Sequence, residues 1–148
     1  MIFGNRYILN TDMDSQIPEK LIGDSQRIGQ ILLNLTGNSI KFTENGNVTL
    51  RTKLLHLNEK NCTLRIEVED TGIGISDEIH HGLFTPFTQG DGSTSRQYEG
   101  TGLGLAICKH LTDAMEGELD FESTPGQGTT FWLVLRLKTH SPSNNFTI

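Results

Sequence analysis

The chain has 148 residues, 34% of them hydrophobic, 16 glycines and a formal net charge of −6. That is enough for one domain with a sizeable core, and the acidic balance argues against a broad nucleic-acid-binding face while leaving room for an anionic nucleotide held by backbone amides, a few cations and a metal. No apolar run reaches membrane-spanning length and no signal peptide is present, and Cys62 and Cys108 form no CxxC or His-rich pattern, so they read as reduced thiols.

Residues 1–6 read as a linker or expression tag. Tyr7 to Met13 alternates as a strand, and Gln16-Ile-Pro-Glu19 is a turn or short connection. Asp24 is a helix cap, followed by a helical pattern to about Phe42 that Glu44-Asn-Gly46 ends. Asn47 to Leu57 and Cys62 to Asp70 read as strands joined by the polar Asn58-Glu-Lys-Asn61 turn. Ser76 caps a short helix near Asp77 to Leu83. Thr88 to Gly100 is polar, carries no apolar period and reads as a mobile loop. Leu103 to Met115 is helical and stopped by Gly117. Leu119 to Ser123 and Thr129 to Leu137 form a second strand pair around Pro125-Gly126-Gln-Gly128. His140 onward is a polar tail, so the predicted domain spans 7–138 with a linker at 139–148. Antiparallel hairpins with interspersed helices predict an α+β layered structure, helices on one face of a sheet, and not strict βαβ alternation.

Within this frame four blocks carry chemistry. On the long helix, Ile28, Ile31, Leu32, Leu35 and Phe42 group on the side that packs on the sheet, whereas Asn34, Asn38 and Lys41 share another stripe. Two carboxamides and an ammonium on one stripe suit a phosphate-metal group, with the Asn38 carbonyl as a hard oxygen ligand for Mg²⁺ and Lys41 as a point charge; a solvated face is the plainer alternative. The strand ending at Asp70 runs into Thr71-Gly72-Ile73-Gly74. A carboxylate there can accept from an exocyclic amine, and the glycines let backbone approach a flat ring; a simple strand-capping turn is the alternative. Phe84 and Phe87 anchor the loop, whose single cation, Arg96, is either a phosphate contact or a solvent-exposed side chain. Gly100-Thr101-Gly102-Leu103-Gly104 leads into a helix and offers backbone amides to an anion, without the form of a dinucleotide fingerprint or a Walker A loop.

In order and content, these blocks resemble the ATP-binding domain of sensor histidine kinases, in the superfamily that includes type II topoisomerases, Hsp90 and MutL. The resemblance runs from about Ile8 to about Leu137, with Ser39 standing where alanine is usual. It implies a two-layer α/β sandwich of the Bergerat type, a mixed, mostly antiparallel sheet covered on one face by about three helices. It implies ATP and Mg²⁺ as ligands, Asn38 on the metal, Asn34 and Lys41 near metal or phosphates, and Asp70 on the adenine amino group beside Gly72 and Gly74. Ile75 forms an apolar wall, Thr129 (with Thr130 adjacent) helps hold a base-contacting water, and Arg96 and residues Gly100 to Gly104 meet the triphosphate. The loop wording resembles hybrid-type kinases. None of His56, His80, His81, His110 or His140 is followed by an acidic residue, so the phosphoacceptor histidine is expected on a separate dimerisation domain, with a response regulator or receiver domain downstream. The expected chain is a monomeric cytoplasmic domain of a membrane-anchored sensor. An ATP-driven conformational switch of the gyrase, Hsp90 or MutL kind is the alternative, disfavoured because Asn34 stands where those proteins carry a water-activating Glu.

Overall fold

The structure, a computed structural model, describes residues 6–80, 82–84 and 101–140. Arg96, Gly100, Phe87, His81, the remaining predicted loop and the tail beyond His140 lie outside these residues. Six strands form one sheet: β1 (Arg6–Met13), β2 (Leu21–Ile22), β3 (Asn45–Leu57), β4 (Asn61–Asp70), β5 (Glu118–Thr124) and β6 (Gly128–Thr139). The order is β1-β3-β4-β6-β2, with β5 also on β6. β1 runs parallel to β3 and every other pair is antiparallel. The register places β5 and β2 end to end along the same side of β6, which pairs with β4 on its other side.

Two long helices, α1 (Ser25–Lys41) and α3 (Thr101–Ala114), pack on this sheet and on each other, and α2 (Asp77–His80) is a single turn. α1 starts as predicted: the Asp24 carboxylate accepts from the Arg27 amide at 3.0 Å. The apolar residues predicted for its inner face all join the core or pack against it. α2 is shorter than predicted, because residues 82–84 turn and Gly82 carries a high helix cost. The Ser76 hydroxyl finds no hydrogen-bond partner, so it does not act as a side-chain cap. α3 begins two residues earlier than predicted, drawing Thr101 and Gly102 into the helix. Both cysteines are free and buried.

Strand periodicity decides which side chains meet the helices. In β4 the alternate residues Cys62, Leu64, Ile66, Val68 and Asp70 are all buried; in β6 so are Thr129, Phe131, Leu133 and Leu135. Asp70 is thus the last inward residue of an otherwise apolar row. The opposite face carries a charge cluster in which Glu67 meets Arg65 at 2.7 Å and Arg51 at 3.2 Å. Burial alone would raise the Glu67 carboxyl, but the two guanidiniums outweigh it and hold that group below its ordinary range.

Candidate functional site

Three segments distant in sequence meet at one end of the sheet: the C-terminus of α1, the turn after β4, and the β5–β6 hairpin. The last turn of α1 is closed by the Thr43 hydroxyl, which donates to the Ser39 carbonyl at 2.8 Å, and by the Ile73 amide, which donates to the Phe42 carbonyl at 3.2 Å. Gly72 allows this docking, since a Cβ there would overlap the Phe42 carbonyl oxygen. The Gly126 amide donates to the Ile73 carbonyl at 2.7 Å and fastens the hairpin to the same turn. A Cβ at Gly74 would in turn overlap the Thr124 carbonyl oxygen, so both glycines of the turn are required by contact with the chain itself, a reason that local sequence does not disclose.

The segments enclose a cavity lined by Asn38, Ser39 and Phe42 of the α1 end, Asp70, Gly74 and Ile75 of the turn, Leu83, Leu105 of α3, and Thr129 and Phe131 of β6. Its volume is about 20 Å³, room for roughly one water, so a purine would have to widen it. Asp70 is 6% exposed. Its Oδ1 accepts from the Gly72 amide at 2.9 Å and from the Thr129 amide at 3.2 Å. Burial pushes the carboxyl above its ordinary range, and these backbone bonds only partly offset that. Asp70 and Thr129 are register partners, which singles out Thr129 over Thr130 as the inward threonine. The side-chain nitrogen of Asn38 and the hydroxyl of Ser39 are buried without hydrogen-bond partners. Two orphaned polar groups beside a buried carboxylate are what a polar ligand would satisfy.

The other predicted residues lie differently. Asn34 is one turn back on α1, against the buried Cys108 thiol of α3, which burial pushes up to about 11 with Asn34 opposing the shift. The Lys41 ammonium lies 5.7 Å from the centre of the Phe42 ring and is not among the cavity lining. Thr101, Gly102, Leu103 and Gly104 form the first turn of α3. A Cβ at Gly104 would meet nothing within 4 Å, so the fold itself does not require that glycine. Among the described residues no three His, Cys, Asp or Glu side chains converge on a metal position; an ion carried by a triphosphate needs few protein ligands.

Ser123 is a site residue that sequence reasoning missed. Its hydroxyl accepts from the Ile75 amide at 2.7 Å, lies 2.8 Å from the Thr129 hydroxyl and 3.1 Å from the Gly128 carbonyl. No local signal marks it, because its partners come from two other segments. Ser123→Ala leaves the Ile75 amide unpaired and is expected to cost about 1–3 kcal/mol, read from denaturant unfolding.

The family described as histidine kinase-, DNA gyrase B-, and HSP90-like ATPase matches residues 23–139. The peroxide stress-activated histidine kinase mak2 of Schizosaccharomyces pombe is 43% identical over 134 residues, 88% of this chain and 6% of that protein. The sensor histidine kinase GacS of Pseudomonas protegens is 48% identical over 120 residues, 81% of this chain and 13% of that protein. Full-length ShkA, solved in complex with AMPPNP, superposes with a TM-score of 0.73 at 32% identity, over 91% of this chain and 26% of that one. The chain thus spans a small part of each of these longer relatives. It belongs to the histidine kinase-, DNA gyrase B- and HSP90-like ATPase family, and is homologous to the ATP-binding catalytic domain of sensor histidine kinases.

Proposed function

We propose that this chain, as a domain spanning about 7–138, binds Mg-ATP in the Asp70 cavity and along the first turn of α3. It presents the γ-phosphate to a histidine on a separate dimerisation domain. The terminal phosphoryl leaves ADP as its bond to the histidine nitrogen forms, and the phosphoryl group then passes to a response regulator or receiver domain. The carrying observation is the buried Asp70 carboxylate, fixed through Oδ1 by two backbone amides in a cavity that also holds two unpartnered polar groups.

In this reading Asp70 accepts from the adenine amino group, Ile75 and Leu105 sandwich the ring, and Thr129 steadies the base edge. Asn38 suits the metal role through its side-chain carbonyl oxygen, a hard uncharged ligand, and its buried, unpartnered NH₂ is left to donate to a phosphate oxygen. Bound Mg²⁺ would supply charge neutralisation across the phosphates. Asn34, Lys41 and Arg96 are assigned to the phosphate side, with the amides of Gly100 to Gly104 and α3's N-terminus facing the triphosphate. The chain's contribution to catalysis is positioning, since the acceptor and its base belong to the other domain. We further propose that the isolated domain is a monomer and that it works in the cytoplasm within a membrane-anchored sensor; no helix among the described residues is long and apolar enough to cross a membrane.

Calorimetric titration with a non-hydrolysable ATP analogue, with and without Mg²⁺, tests the reading, followed by phosphotransfer to a supplied dimerisation domain. No binding by the intact chain would overturn it. Asn38→Ala is expected to weaken binding by at least about tenfold in Mg²⁺ and far less in EDTA. Equal losses in both conditions would remove Asn38 from the metal.

A further inference from the structure

Ser39 is the cavity's least explained polar residue. It is 1% exposed, and its hydroxyl has no hydrogen-bond partner. A serine inside a helix ordinarily satisfies itself on the carbonyl four residues back, and this one does not. Its own carbonyl is taken by the Thr43 hydroxyl, so the end of α1 is held in place while the Ser39 hydroxyl is left over. That hydroxyl lies near enough to Asp70 to ease the carboxylate's charge, though without a hydrogen bond of good geometry. A buried hydroxyl without a partner destabilises the fold, so its presence points to a partner that the chain does not supply.

The chemistry of the lining narrows what that partner is. Asp70, when ionised, only accepts, and its Oδ1 is already used by two amides. The Thr129 hydroxyl is engaged with Ser123. Adenine presents an amino donor beside a ring nitrogen, N1, that accepts. A carboxylate can serve the amino group but repels N1. The Ser39 hydroxyl can donate there, directly or through a bridging water.

We propose that Ser39 is a base-recognition residue whose hydroxyl donates to the N1 edge of bound adenine, directly or through one water, so that Asp70 and Ser39 together read adenine's donor–acceptor pair. This rests on the reading of the cavity as the adenine site. Guanine reverses both positions; Asp70 then faces an acceptor at carbon 6, whereas the Ser39 hydroxyl can turn to accept from N1–H, so rejection of guanine falls to Asp70 and Ser39 adds affinity for adenine.

The test is calorimetric titration of wild type, Ser39→Ala and Asp70→Asn with ADP and with 1-deaza-ADP, which carries a C–H in place of N1. The expected result is three- to tenfold weaker ADP binding by Ser39→Ala. A similar loss is expected for wild type with the deaza analogue, and no further loss when both changes are combined. Ser39→Ala without ligand is expected to melt at or above wild type, the opposite sign to a merely structural role. Ser39→Cys, a weaker donor of similar size, should fall between the two should alanine disturb packing. Unchanged ADP affinity in Ser39→Ala, or losses that simply multiply in the combination, would overturn the assignment while Asp70→Asn still reports on the adenine site. ADP binding that survives Asp70→Asn, or none by wild type, would overturn both.

Discussion

Asparagine at position 70 is expected to reduce nucleotide binding by at least about a hundredfold while leaving the fold intact. The Asn oxygen can keep the two bonds that Asp70 Oδ1 now accepts, from the Gly72 and Thr129 amides. Its NH₂ then occupies the other carboxylate position and points a donor at the donor of adenine. Alanine at the same position removes both backbone bonds and is expected to lower stability as well, so the two variants separate recognition from folding. The stability difference between Asp70→Asn and wild type should also depend on pH in a defined way. Burial raises the Asp70 carboxyl above its ordinary value, so the native state carries an ionised group it disfavours. Wild type is then relatively most stable when Asp70 is protonated, below the ordinary Asp range near about pH 4, and loses that stability as pH rises through the raised value. The asparagine variant has no such loss. Its melting temperature should gain on wild type toward neutral pH and converge with it in acid. A gap that widened in acid would mean that Asp70 is stabilised in its charged form.

Gly74→Ala is the second large effect expected. Gly74 has φ +75°, and a Cβ there would overlap the Thr124 carbonyl oxygen and come within 2.9 Å of Pro125 Cα. Both obstacles are backbone, which cannot swing aside. Left-handed strain and overpacking together cost about 3 kcal/mol or more, a fall in melting temperature of about 6–12 °C for a chain of this size. Gly104→Ala is the contrast. Its Cβ meets nothing within 4 Å and it lies inside α3, so stability should hold or rise by up to about 1 kcal/mol. If α3's first turn contacts phosphates, triphosphate affinity should fall nonetheless. A Gly74→Ala protein as stable as wild type would show that the turn after β4 is not held by the β5–β6 hairpin.

Much of this arrangement was legible beforehand, and the reasons differ by element. α1 announces itself through its Asp24 cap and its apolar spacing, and the β3–β4 and β5–β6 hairpins through polar or glycine turns between alternating runs. The strand ending at Asp70 was legible too, but only the β4–β6 register separates Thr129 from the adjacent Thr130. β2 was not legible, because two residues hold no period. Nor was the parallel pairing of β1, since alternation says which face is buried but not which way the neighbour runs. At the site, residue types pointed to Asn38, Asp70 and Ile75, which the cavity brings together, but not to the roles of Gly72, Ser123 and Ser39. Those depend on backbone atoms and side chains supplied by other segments, and such contacts leave no local trace.

The place of β6 in the sheet bears on how the domain is made. It is the last of the described strands in chain order, yet it pairs with β4, β5 and β2. A chain emerging from the ribosome therefore carries β4 with an open edge, and Asp70 without Thr129, until residues 128–139 are free. The exposed row of Leu64, Ile66 and Val68 is an aggregation hazard during that interval. Thr129 and Phe131 of the cavity lining come from β6, so on the proposed reading ATP does not rescue the chain before that strand is present. Nascent chains stalled before residue 128 should accordingly depend on chaperones, and the dependence should end abruptly once β6 can close the sheet.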